Sequence, residues 1–343
     1  MNVPDPAPVL ELIDAFRRSK AMFAAVSMGV FETLHDSPAD ASSLAARLPV
    51  PGGARVEPLE RLLDACVGMG LLTKRDGLYA NEPVAETYLC DHSPLSLTGY
   101  VLYSNEALFP MWAHLEDAIR EGTPRWTQTF GGRGSLFEHF FRTDERRRRF
   151  LRGMHGFGQL SSGLVVAAFD LSRFRRLADL GGATGHLATA ACERYPQLRA
   201  VVFDLAPVVA MAQDYIAASD ARERIELVAG DFFNDALPEA DLYSLGRILH
   251  DWPLDRIRLL LSKIYNALPP RGGLLIAEKL LDEDKLGPTP AHMQSLNMLV
   301  CAEGKERTLS EYGALLLEAG FADVEGARTG AVLDAVLATK ADS

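Results

Sequence analysis

The run Arg176-Leu-Ala-Asp-Leu-Gly-Gly-Ala-Thr-Gly-His-Leu-Ala188 constrains the fold of this chain more than any other stretch. An apolar segment leads into two adjacent glycines, and a third glycine precedes helix-forming residues. It therefore reads as a buried strand, a glycine turn and the first turn of a helix. A second apolar run, Ala200-Val-Val-Phe203, ends at Asp204. A unit of strand, glycine turn, helix, strand and acid is how α/β proteins hold a nucleoside. The glycines let the backbone approach the ligand, and the acid accepts hydrogen bonds from the ribose hydroxyls. A dinucleotide fingerprint needs glycines at 181, 183 and 186, but Ala183 and His186 stand at the last two, and no Walker lysine follows. The remaining pattern, Asp-x-Gly-Gly-x-x-Gly over 179–185, is the form that takes S-adenosylmethionine. The blander alternative is an ordinary βα turn with incidental glycines.

The chain has 343 residues and is 48% hydrophobic, enough for two domains or for one large domain with an appendage. A net charge of −11 argues against nucleic acid as the main partner. Cys66, Cys90, Cys192 and Cys301 form no CxxC pair, and the histidines show no HExxH-like spacing. Reduced thiols and no structural metal are the expectation. Met1 to Pro8 is polar and proline-rich, unlike a signal peptide, and no apolar run reaches the ~20 residues that span a bilayer. A cytoplasmic protein with no membrane partner is expected.

Along the chain, residues 1–8 read as frayed, and Val9 to Leu34 as helix broken at Gly29. Short helices follow at 42–48 and 58–69. Leu71-Leu-Thr-Lys-Arg-Asp-Gly-Leu-Tyr79 reads as a hairpin on an Asp-Gly turn. Helices followed by such a hairpin resemble a winged helix. Glu57-Pro-Leu-Glu-Arg-Leu-Leu-Asp64 is too acidic for a DNA-reading helix, so dimerisation is the better reading. Residues 105–121 read as one amphipathic helix, 122–135 as a loop and 136–169 as largely helical. The basic run 144–149 reads as a solvated helix face. From Arg176 strands (176–180, 199–204, 224–229, 240–246, 273–279) alternate with helices (185–194, 207–218, 254–267). Such alternation implies a parallel sheet with helices on both faces. Phe321 to Lys340 reads as an antiparallel edge hairpin.

Two further segments carry chemistry. In Gly230-Asp231-Phe232-Phe233, after the third of these strands, the acid can accept an adenine amine and Phe232 can cover the ring. Arg247-Ile-Leu-His-Asp-Trp-Pro253 puts His250 at the mouth of the sheet, with Glu278 and Glu306 as candidate partners downstream. A histidine oriented by carboxylates is a good general base. Methyl transfer needs a base chiefly when the acceptor is a phenol, whose pKa lies near ~10, so a buried histidine points to O-methylation. Met293, Asn297, Val300 and Cys301 share one helical face. Asn297 could bond a substrate, whereas Met293 and Val300 read as core. Phe109, Met111, Trp112, Phe137, Phe140, Phe141 and Phe157 supply aromatic and apolar bulk for the core and for a flat apolar pocket.

These residues resemble the acetylserotonin O-methyltransferase family of class I S-adenosylmethionine-dependent methyltransferases, from about Leu10 to Lys340. The most specific segments are Leu249-His-Asp-Trp252, Leu280-Leu-Asp-Glu-Asp284, Ser295-Leu-Asn-Met-Leu-Val300, Glu303-Gly-Lys-Glu-Arg-Thr308 and Gly330-Ala-Val-Leu-Asp-Ala335. The similarity is strongest to the methyltransferase half of the acetylserotonin O-methyltransferase-like branch, whose additional nucleotide-pyrophosphatase-like domain has no counterpart in these residues. The resemblance implies a Rossmann-like α/β catalytic domain at 171–343. It also implies helical connector and pocket helices at 111–170, and an N-terminal helical, winged-helix-like dimerisation domain at 1–110 that interlocks in a homodimer. It implies S-adenosyl-L-methionine as cofactor, held by Gly181, Asp204, Gly230, Asp231, Phe232 and Arg247. His250 would be the base flanked by Glu278 and Glu306, and Asp251, Asn297 and Cys301 would border the substrate. The expected reaction is O-methylation of a small hydroxylated aromatic such as N-acetylserotonin. A polyketide or flavonoid phenol is the alternative, as is a catalytically weak protein that only binds the cofactor. The chain departs from the family at four positions. Ala183 stands in place of a third glycine, Phe141 and Gly158 in place of a tyrosine and a tryptophan near the cofactor, and Cys301 in place of a glutamine beside the substrate.

Overall fold

The computed structural model describes residues 3–131 and 143–342. The chain divides into two compact units, residues 1–107 and 108–343.

In the first unit, helices Ala7–Ser27, Val30–His35, Ala41–Arg47 and Val56–Gly68 precede hairpin strands β1 (Leu72–Arg75) and β2 (Leu78–Asn81). Helices Pro83–Tyr88 and Thr98–Tyr103 follow. The first helix starts at Ala7, with a proline in its opening turn, so the end frays less than expected. Asp76 and Gly77 both take positive φ, as a two-residue turn between twisted strands requires. Helix Val56–Gly68 buries Leu59, Leu63 and Cys66 along one stripe, in a core shared with Phe31, Leu44, Leu72 and Tyr79. Burial of each large aliphatic side chain contributes about 1.5–3 kcal/mol.

The second unit is built on a seven-stranded sheet. Its strands are β3 (Arg176–Leu180), β4 (Arg199–Asp204), β5 (Ile225–Ala229), β6 (Leu242–Gly246) and β7 (Gly273–Glu278), together with β10 (Asp323–Ala327) and β11 (Asp334–Thr339). A separate two-stranded ladder joins β8 (Leu280–Leu281) to β9 (Arg307–Thr308). The sheet order is β10-β11-β7-β6-β3-β4-β5. Neighbours from β7 to β5 run parallel, while β11 pairs antiparallel with both β7 and β10. The order reverses at β3, where the chain leaves β5 to begin β6 on the other side. Crevices of open α/β sheets form at such a reversal, beyond the carboxyl ends of the strands.

Alternate residues of β7 feed two cores. Leu274 and Ile276 pack with Ile257, Leu260, Leu261 and Ile264 of helix Leu254–Ala267. Leu275 and Ala277 belong to the core that holds Leu187, Ala188 and Ala191 of helix His186–Arg194. All six β7 residues are buried, as expected of a strand covered on both faces.

Two expectations are corrected in the connecting region. Residues 105–121 are not one helix. A π-helical turn at Ser104–Leu108 gives way to helices Phe109–Trp112 and Leu115–Glu121. Pro110 has no N–H to donate four residues back, so regular α-helix cannot run through it. Within 122–135, expected as loop, Trp126–Phe130 is helical. Tertiary bonds hold that turn: Arg125 N donates to Val300 O at 2.8 Å and Trp126 Nε1 to Cys301 O at 2.7 Å. Helices Asp144–Gln159 and Ser162–Ala167 follow. Phe137, Phe140 and Phe141 lie outside the described residues. Among the described residues, no helix is long and apolar enough to cross a membrane.

Candidate active site

The carboxyl ends of five neighbouring parallel strands gather the residues singled out from sequence. Gly181 follows β3, and Asp204 ends β4. Gly230, Asp231 and Phe232 follow β5, Arg247 to Asp251 follow β6, and Glu278 ends β7. Asp204 Oδ2 accepts a hydrogen bond from Ala183 N at 2.9 Å and Oδ1 one from Leu205 N at 2.7 Å. Burial nevertheless lifts its pKa to about 6. Ala183 keeps the left-handed backbone that a glycine would adopt freely, at φ +49°. A Cβ on Gly158 would fall 2.5 Å from the His186 ring. The imidazole, bonded to Ser162 Oγ at 2.8 Å, therefore occupies space that a larger residue at 158 would need.

Asp231 is more committed than its sequence suggested. Its Oδ1 accepts from Phe233 N and its Oδ2 from Asn234 Nδ2, so the carboxylate shapes its own turn. Lys263 Nζ clamps the same loop by donating to Phe232 O at 2.9 Å and Phe233 O at 3.1 Å. Sequence reasoning missed this lysine, because nothing in its local pattern distinguishes it from a solvated helix residue. Asp179 was also passed over, although it opens the glycine motif. It is buried, with its pKa lifted to about 6 by that burial. Its Oδ1 accepts from Ser244 Oγ, while Oδ2 has no hydrogen-bond partner.

His250 sits in a single 3₁₀ turn, Leu249–Asp251, and is 2% exposed. Its Nδ1 lies 2.6 Å from Glu306 Oε1 and 3.2 Å from Glu278 Oε2, and its Nε2 lies 3.6 Å from Asp251 Oδ1. Both glutamates are buried. Burial opposes a charged imidazole, but the carboxylates of Glu278, Glu306 and Asp251 outweigh it and raise the His250 pKa to about 9. Burial likewise raises Glu278 and Asp251.

Local structure explains how Glu278 and Glu306, 28 positions apart, meet at one ring nitrogen. Each lies just before a strand of the β8–β9 ladder, whose register sets Leu280 opposite Arg307. Glu278 Oε1 also accepts from Leu249 N at 3.0 Å. Arg307 Nη1 donates to Lys305 O at 2.9 Å and reaches Leu249 O at 3.4 Å, which ties the glutamate's neighbour to the histidine's turn. Gly304 lets the two segments touch: a Cβ there would lie 2.2 Å from His250 O and 2.8 Å from Trp252 N. Gly304→Ala must displace backbone at the histidine. A loss of about 1–3 kcal/mol of stability is expected, with activity falling further than stability because His250 itself moves. Full activity with an unchanged melting temperature would contradict this packing.

The helix Thr289–Cys301 carries Asn297 and Cys301 one turn apart and buried. Asn297 Oδ1 accepts from Trp112 Nε1 at 2.9 Å, and its Nδ2 lies 3.5 Å from Cys301 Sγ. Burial raises the Cys301 thiol far above its usual range, so it is a neutral, weakly polar wall. Val300 is core as expected. Met293 is not: it shares the face of Asn297 and Val300 but is 46% exposed, because it lies near the start of the helix, where Thr289 and Pro290 are also exposed. Arg247 has a positive φ of 58°, and its guanidinium lies 4.6 Å from the Phe157 ring centroid. Its buried Nη1 has no hydrogen-bond partner.

Strand order, the reversed final hairpin strand and a glycine turn at the switch point place this unit among Rossmann-like methyltransferases. Comparison with known proteins narrows the class. Residues 112–322 match the O-methyltransferase domain model and residues 10–91 the O-methyltransferase dimerisation domain model. The chain belongs to the O-methyltransferase family and is an enzyme that transfers methyl groups to oxygen. It is 43% identical to bovine (Bos taurus) acetylserotonin O-methyltransferase over 96% of each chain. It is 42% identical to the human (Homo sapiens) probable bifunctional dTTP/UTP pyrophosphatase/methyltransferase protein over 98% of this chain, but spans only 54% of that relative's length. Human N-acetylserotonin methyltransferase, solved in complex with S-adenosylmethionine, superposes with a TM-score of 0.92 at 39% identity over 99% of both chains.

Proposed function

We propose that the chain is an S-adenosylmethionine-dependent O-methyltransferase of small hydroxylated aromatics, with N-acetylserotonin and related hydroxyindoles as the substrate class. His250 is its general base. The observation that carries the reading is the His250 hydrogen bond to Glu306, which commits Nδ1 as donor and leaves the Nε2 lone pair to take a proton. The buried Asp179 Oδ2 and Arg247 Nη1, both without partners, fit a site whose polar groups await a ligand. Asp204, Gly181, Gly230, Asp231, Phe232 and Arg247 would hold the cofactor, which when bound supplies an electrophilic methyl group on a sulfonium.

The protein's own work is orientation and proton handling. A phenol of pKa near ~10 keeps its proton at neutral pH, so Nε2 must accept it as the oxygen attacks. Glu306 fixes the tautomer, and with Glu278 and Asp251 it stabilises the imidazolium that forms. Asp251, Asn297 and Cys301 border the substrate, where Asn297 is held by Trp112 and offers its amide at a set angle. Because Cys301 is small and neutral, it leaves room for a substituted ring.

The first unit, with the winged-helix-like arrangement of its short helices and hairpin, is the dimerising part of a homodimer. Its leading helix exposes Leu12 at 77% and Phe16 at 55%, an apolar stripe that a second copy would cover. Residues 111–170 supply connector and pocket helices, and 171–343 the cofactor sheet. Four unpaired, buried cysteines suit a reducing cytoplasm.

The test is mass spectrometry of purified protein with S-adenosylmethionine and a panel of phenols that includes N-acetylserotonin. A product heavier by one CH₂ on the hydroxyindole supports the reading. Cofactor binding with no product from any hydroxyindole would replace it with a cofactor-binding protein or a different phenol class.

A further inference from the structure

The first unit holds a cluster that methyl transfer leaves unused. Helix Val30–His35 presents Glu32 and His35, helix Pro83–Tyr88 presents Glu86, and the segment after Leu89 presents Cys90 and His92. His35 Nδ1 hydrogen-bonds Glu86 Oε1, and His92 Nε2 lies 3.3 Å from the same oxygen. The two imidazoles stack with centroids 3.8 Å apart and planes 29° from parallel. The candidate ligand atoms of His35, Glu86 and His92 all lie within 4.8 Å of one another. All three side chains are open to solvent, at 43%, 36% and 41% exposure.

What separates this cluster from a casual surface ion pair is the support behind it. Asn81 Nδ2 donates to Glu86 Oε2 at 2.8 Å and to Phe31 O at 2.8 Å, so the far carboxylate oxygen is pinned and Oε1 faces the histidines. Glu32 Oε2 accepts from Asp91 N at 2.7 Å, and its Oε1 lies 3.9 Å from His92 Nδ1. Glu32 thus anchors the backbone beside His92, in the way that outer partners hold the ligands of metal sites in place. Cys90 is fully buried behind the cluster, whereas His35, Glu86 and His92 face solvent. Its thiol donates weakly to Glu86 Oε2, 3.8 Å away.

We propose that His35, Glu86 and His92 form a surface site for a divalent transition ion of the Zn²⁺ or Cu²⁺ class, with Asn81 and Glu32 orienting its ligands. Two imidazoles and one carboxylate suit these ions, whereas Mg²⁺ and Ca²⁺ favour oxygen-only sets. The ion would staple helices Val30–His35 and Pro83–Tyr88 to the segment at His92, with water completing its coordination. The sequence suggested no structural metal because these ligands come from three separated segments and form no short spacing motif.

The experiment uses the full chain, tag removed and metal stripped. Zn²⁺ is titrated by calorimetry in excess Mg²⁺, and bound metal is counted after dialysis. The expected result is one Zn²⁺ per chain, a higher melting temperature and, with Cu²⁺, an electron paramagnetic resonance spectrum showing nitrogen couplings from two imidazoles. A folded His35→Ala/His92→Ala double variant loses that ion, and Asn81→Ala binds it about 10–100-fold more weakly. Circular dichroism confirms that both variants remain folded. The same stoichiometry in the double variant would move the ion elsewhere, and no binding by the native chain would reduce the cluster to an ion pair. Either result overturns the proposal.

Discussion

Replacing His250 by alanine is expected to lower turnover by about 10²–10⁴-fold while cofactor binding survives. Nε2 of the imidazole makes no hydrogen bond among the described residues; Asp251 Oδ1 is 3.6 Å away. Gly181 and Asp204, proposed to hold the cofactor, sit on other strand ends, and Arg247 precedes the histidine turn after β6, so their backbone positions do not depend on the imidazole. Calorimetry with S-adenosylmethionine and steady-state kinetics on the same preparation separate the two effects. Retained turnover with binding intact would remove the base mechanism. Loss of both would mean that His250 holds the site together rather than moving a proton.

The second large effect concerns pH. With its pKa raised to about 9, His250 in the free enzyme is mostly protonated at neutral pH and cannot accept a proton. The working form is the neutral ring, so kcat/KM should climb as pH rises and level off above about 9. The same shift makes a stability prediction. A raised histidine pKa contributes stability fully below its unfolded value near 6.5, and that contribution fades as pH rises through about 9. Activity and this share of stability thus move in opposite directions between those values. Glu306→Gln keeps an acceptor for Nδ1 but removes a charge, so the inflection should fall by roughly 1–3 units and the maximal rate should drop as the imidazolium loses support. Near-identical profiles for wild type and Glu306→Gln would show that the carboxylate does not tune the base.

Much of the second unit was legible in the chain because its signals are local. Apolar runs flanked by glycine and polar turns mark β3, β4 and β7 within a residue, since a strand buried on both faces must be apolar throughout. The His250 segment was readable for the same reason: it breaks from strand into turn where a ligand edge belongs. Less legible were the pieces between 104 and 130. There a proline divided one expected helix, and hydrogen bonds from Arg125 and Trp126 to the far end of helix Thr289–Cys301 made another out of an apparent loop. Lys263, Arg307 and Gly304 carried weak signals or none. Their roles are defined by partners 20 to 60 positions away, and no window of sequence contains both sides of such a contact.

Contiguous residues were enough to read the class of sheet, the position of the glycine turn, the acid that ends the second parallel strand and the histidine with its two glutamates. Residue type and spacing suffice for these, because backbone geometry and apolar periodicity are properties of contiguous residues. Folding brings Glu278 and Glu306 together at Nδ1 of His250, through a two-residue ladder and a glycine with no room for a methyl group. Folding likewise lets Asp231 shape its own turn, puts His186 in the space beside Gly158, and brings His35, Glu86 and His92 together. Each of these is a matter of a few ångströms between distant segments, and packing sets such distances where local preference cannot.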